Sequence, residues 1–136
     1  MTHTISNKYR NTFSFDKYVC VGDTSTIERE GYVIRATIKL DGDTSPDEFE
    51  CYSKEEKARW LSDEWFYCGV VLSISYNMVE LNDHAASLWG VECNIGTHND
   101  YLVTVAEDLI YDALEVGKAT RTDYLNRLQD KITLED

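Results

Sequence analysis

The stretch that most limits the fold is 102–114, where Leu102, Val105, Ala106, Leu109, Ile110, Ala113 and Leu114 recur every three or four residues. That period puts all seven on one face of an amphipathic helix over about 99–116, capped near Asn99 and ended by Gly117. A helix cannot bury so wide a stripe against itself, so the rest of the chain must supply an apolar layer. The opposite face carries Asp100, Thr104, Glu107, Asp108, Tyr111, Asp112 and Glu115, an acidic strip with a tyrosine in it.

Alternation supplies the layer. In YVIRATIKL (32–40), Tyr32, Ile34, Ala36, Ile38 and Leu40 share one face, and Arg35, Thr37 and Lys39 the other. Val70, Leu72 and Ile74 alternate with Val71, Ser73 and Ser75, Tyr76-Asn77 reads as a turn, and 78–81 as the returning strand. A second turn at Asn82-Asp83 and a third short strand over 85–93, with Gly90 marking a bulge, complete a meander. TFSFDKYVC (12–20) reads as one more short strand, followed by the turn formers Gly22, Asp23 and Gly31. Trp65, Leu88 and Trp89 are expected in the core.

The predicted fold is therefore a single α+β domain over 1–136, with residues 1–11 flexible. It has a small antiparallel sheet of about four to five strands, covered by the C-terminal amphipathic helix, with two further helices. The first begins at Ser45-Pro46-Asp47-Glu48, with Ser45 and Glu48 as a capping box, and runs to about Ser62. This 45–62 helix is polar and external, it is expected to be the most mobile element, and it holds Lys54, Lys57 and Arg59. The second, over 120–131, offers Tyr124, Leu125, Leu128 and Ile132 for packing.

Charge narrows the function. Net charge is −12, and from Trp60 to Gly117, 58 residues, there is no Lys or Arg. Such a field repels phosphates and attracts basic surfaces, which disfavours direct binding of nucleic acid and favours a basic protein partner. Tyr111, Tyr76 and Trp60 are the aromatics expected outside, where they would add contact energy to the steering by Glu107, Asp108, Asp112 and Glu115. No run approaches the ~18 apolar residues of a membrane span, and Cys20, Cys51, Cys68 and Cys93 form no CxxC pair, so the expectation is a cytoplasmic protein with reduced thiols.

Specific chemistry is sparse. Asp83, His84 and Ser87 are the residue types of a hydrolase triad, and His84 with Cys68, Cys93 and Cys20 are types that zinc prefers. However, there is no G-x-S-x-G elbow, and the cysteine spacing matches no usual zinc ribbon or finger; a turn residue and buried thiols account for the same positions. No Walker loop, G-x-G-x-x-G, H-E-x-x-H or EF-hand pattern is present. The chain is expected to be non-enzymatic, with no cofactor and no metal; a small enzyme with a site near Asp83, His84 and Cys93 is the alternative.

FDKYVCVGD (15–23), DEWFYCGVVLSIS (63–75), LNDHAASLWGVECN (81–94) and NDYLVTVAEDLIYDAL (99–114) together resemble a group of small acidic proteins encoded on bacterial plasmids, integrative elements and phages. The resemblance implies no catalytic residues. It implies a setting in which small proteins block host defences, as anti-CRISPR proteins do, by occupying a basic channel in place of phosphates. An accessory protein for replication or transfer of the element, binding a basic partner, is the other reading of that setting.

Overall fold

The structure, a computed structural model, describes residues 9–135 and the side chains of 9–130. Four strands, β1 (Thr24–Arg29), β2 (Tyr32–Leu40), β3 (Phe66–Tyr76) and β4 (Val79–Cys93), form one antiparallel sheet in sequential order. A 3-10 turn (Pro46–Glu48) and helix α1 (Lys54–Leu61) lie between β2 and β3, and helix α2 (Asp100–Glu135) follows β4. The fold is the α+β class read from the sequence.

Both tight hairpins use left-handed backbone. Glu30 and Gly31 (φ 55° and 85°) join β1 to β2, and Asn77 and Met78 (φ 50° and 67°) join β3 to β4. Positive φ at both central residues matches the strand twist, which is why two residues suffice. The expected second turn at Asn82-Asp83 does not exist: β4 runs through it. β4 opposes the 11 residues of β3 with 15 of its own, and register shifts between Cys68 and Val70, Leu72 and Ile74, and Ile74 and Ser75 absorb the surplus. Bulging rather than turning keeps the strand in the sheet.

One sheet face packs on α2. Ile34, Ala36, Ile38, Val70, Leu72 and Ile74 meet Leu102, Ala106, Ile110 and Ala113, all essentially out of contact with water. Each such large aliphatic side chain contributes about 1.5–3 kcal/mol of burial. The expected helix stop at Gly117 is also overturned. Gly117 lies inside α2, where an added Cβ would come within 2.5 Å of Ile74 Cδ1, so glycine serves close helix–sheet approach there. Helices 99–116 and 120–131 are consequently one.

The predicted strand over 12–20 is an extended segment held by side chains instead of a ladder. Asn94 accepts from Val19 N (2.9 Å) and donates to Val19 O (2.8 Å), while Asn99 donates to Lys17 O (2.8 Å) and to Asn94 Oδ1 (2.9 Å). Buried amides thus satisfy the backbone that a neighbouring strand would have. Of the terminal stretch expected to be flexible, 1–8 lie outside the described residues; Arg10 bridges in parallel to Ile27 on β1.

The polar 45–62 segment holds two capping boxes, Ser45 with Glu48 and Ser53 with Glu56, and it breaks into the 3-10 turn and α1 between them. It covers part of the other sheet face through an aromatic cluster in which Tyr52, Trp65 and Tyr67 have ring centroids 5.2–6.4 Å apart. Leu88 and Trp89, expected in the core, are exposed: as neighbours on the edge strand β4 they face opposite sides, and Leu88, although opposite Val70, stays open to solvent. Trp89 lies instead on Gly69 of the face away from α2, so closely that a Cβ there would be 2.2 Å from its ring.

Candidate protein-binding surface

The sheet fixes the inner stripe of α2, and helical spacing then fixes what points out. Thr104, Asp108, Tyr111, Asp112 and Glu115 are exposed, Tyr111 to 80% of its surface. No base interrupts this face before Lys118, whose ammonium is held 2.7 Å from Glu30 by an ion pair that raises its pKa. The first half of α2 therefore presents unneutralised carboxylates around a protruding aromatic ring.

The predicted site residues do not all gather there. Glu107 is half-buried and its Oε1 accepts from Phe13 N (3.1 Å), fastening the 12–20 segment to the helix. Tyr76 is half-buried at the other end of the sheet, 4.9 Å from Tyr32 between ring centroids, with the Arg121 guanidinium 4.0 Å above its ring. Trp60, half-buried on α1, belongs to the layer on the opposite side of the sheet from α2. Asp108, Tyr111, Asp112 and Glu115 remain as one continuous exposed group.

The residues of the enzyme alternative separate. His84 Nε2 and Ser87 Oγ are 2.8 Å apart, and Trp89 Nε1 donates to the same oxygen (3.2 Å). Among the described residues no carboxylate bonds the imidazole; His84 is exposed and Ser87 half-buried. Cys93 is buried at the far end of β4, on the order of 20 Å along the strand. A bond with Cys68 and then burial push its thiol well above the usual range, which disfavours the thiolate form. Among the described residues no group of three His, Cys, Asp or Glu side chains converges as metal ligands, and no helix is long and apolar enough to cross a membrane.

Two polar centres were not visible in the sequence. Asp41 accepts from Asp43 N (2.9 Å), Thr44 Oγ (2.9 Å) and Gly90 N (2.8 Å), tying the loop after β2 to β4. Burial acts to raise its pKa, but these donors together hold it below the usual carboxylate value. Tyr52 donates to Glu92 beneath the aromatic cluster; burial first and that bond second push its hydroxyl far above the ordinary tyrosine range. The buried Tyr67 hydroxyl stands beside Tyr52 without an aligned hydrogen bond. A loop aspartate and a tyrosine paired with a carboxylate 40 positions away give no local sequence signal.

Compared with protein-family models, curated proteins and solved structures, the chain matches none.

Proposed function

We propose that the protein is a non-enzymatic inhibitor carried by a mobile element, which binds the basic, nucleic-acid-binding surface of a host defence complex in the manner of anti-CRISPR proteins. The observation that carries this reading is the exposed, base-free face of α2, with Asp108, Asp112 and Glu115 around Tyr111. Carboxylates at helical spacing set against a protruding ring offer a basic channel both charge and contact area. Binding there would release counterions from the partner much as nucleic acid does. The resemblance to small plasmid and phage proteins supplies the setting, and a cytoplasmic location in the bacterial host follows from it.

The test is competition. Purified host defence complexes, a CRISPR surveillance ribonucleoprotein and a restriction enzyme first, are titrated with this protein while their duplex DNA binding is followed. At least one should lose DNA binding, less effectively as salt rises, and Asp108→Lys, Asp112→Lys and Glu115→Lys together should slow association tenfold or more. Glu107 is left intact because it holds Phe13. DNA binding that survives a large excess of the protein in every complex would overturn the proposal.

A further inference from the structure

A cleft of about 400 Å³ opens beside the loop that follows β2. Trp60 and Leu61 of α1 form one wall, Asp43 and Ser45 of the loop another, and Asp63 stands at its rim, with the buried Trp65 behind. Among the described residues no lysine or arginine lines it, although α1 beside it carries Lys54, Lys57 and Arg59. Lys57 is turned to Asp47 (3.6 Å) and the Arg59 guanidinium to Ile95 O (3.3 Å). Asp43 and Asp63 have no cationic partner among the described residues.

The loop itself is fixed, since the Asp41 carboxylate closes it with three hydrogen bonds. On its other side a second groove of about 420 Å³ lies between Leu40, Asp43 and Trp89. A rigid ridge with a tryptophan on each side is thus rimmed by exposed apolar side chains, Leu61 at 75% and Leu40 at 59%. Apolar surface gathered around unpaired carboxylates suits a ligand with an apolar stem and a charged, flat head.

We propose that the cleft between Trp60 and the Asp43–Ser45 loop receives an arginine side chain of a protein partner. The guanidinium sits between the Asp43 and Asp63 carboxylates and against the Trp60 indole, and its methylenes run along Leu61. Arginine is favoured over lysine because its planar, weakly hydrated head stacks on indole while keeping donors free for two carboxylates. The cleft belongs to the face of the sheet away from α2, so it goes beyond the acidic-helix reading and stands or falls separately from it.

The test uses the full-length protein with its tryptophan indoles labelled with nitrogen-15 and assigned by single substitution. It is titrated at physiological salt with short blocked peptides whose central residue is arginine, lysine or citrulline. The arginine peptide should shift the Trp60 resonance saturably, the lysine peptide at least tenfold more weakly, and the uncharged citrulline peptide not at all. Asp43→Asn with Asp63→Asn should weaken the arginine response tenfold or more, while the buried Trp65 resonance stays in place and reports an intact fold. Asp108→Asn, Asp112→Asn and Glu115→Gln together should leave the response within about threefold, since charges across the sheet are screened by salt. Equal shifts from arginine and citrulline, or an undiminished response in the Asp43, Asp63 variant, would overturn the proposal. So would free arginine saturating the cleft below the peptide's concentration, which would make it a small-molecule site.

Discussion

Divided at Gly117, helix α2 has two dissimilar halves. Residues 100–117 lie on the sheet and carry five acids and no base, while 118–135 carry four bases and three acids. In the first half the apolar stripe is buried. In the second every side chain from Thr122 to Asp130 is exposed, including Leu125 and Leu128, although Tyr124 and Leu128 continue the stripe. The periodicity does not change at the boundary; the layer beneath it ends. Eleven residues of β3 extend about 36 Å, whereas 36 helical residues extend about 54 Å. Near the boundary Arg121 lies over the Tyr76 ring, and Thr122 and Leu125 line an open groove with Glu30 and Tyr32.

Across that division, matched truncations should differ most. Ile110→Ala should cost about 2–5 kcal/mol in urea unfolding, and Leu128→Ala less than about 0.5 kcal/mol. Similar costs would mean that the second half is covered too. Gly117→Ala probes the boundary: despite about 1 kcal/mol of better helix propensity, the clash with Ile74 should make it a net loss of about 1–3 kcal/mol. A stabilised variant would show that helix and sheet are not in tight contact there. Native-state hydrogen exchange sharpens the picture, with amides of 105–117 protected close to the global limit and those of 123–130 exchanging fast. The smallest effect belongs to Glu30→Gln, because the exposed pair with Lys118 should leave the urea midpoint unchanged within error.

The same halves show what could be read in advance. The helix over 102–114 and the alternation of 32–40 and 70–75 were legible because one wet face and one dry face leave a periodic trace. The single length of α2 was not, because Gly117 looks like a terminator when its reason is Ile74, 43 positions away in sequence. Nor was β4: Asn82-Asp83 reads as a turn, and only pairing with a shorter strand makes it a bulge. Leu88 and Trp89, neighbours on that edge strand, face opposite sides of the sheet and neither enters the core. Of the candidate site, Asp108, Tyr111, Asp112 and Glu115 followed from helical spacing alone. That Glu107, Tyr76 and Trp60 are half-buried and lie apart from that group was not legible, because Phe13, Arg121 and the loop after β2, which they meet, are distant in the chain.

The bulges of β4 also bear on how this protein behaves when its charge is lost. The chain has an isoelectric point near 4.5, where the repulsion that separates copies at neutral pH vanishes. β1 is screened by Arg10, whose carbonyl accepts from Glu28 N (3.1 Å), so β4 is the edge left for another chain to extend. Its pairing with β3 stays regular only for short runs, Val91–Cys93 and Ala86–Leu88, before the register slips. An incoming strand meets no long straight ladder to copy. Acidification should accordingly yield precipitate that redissolves on neutralising, not cross-β fibres, because the spare residues of β4 deny fibre growth a flat template.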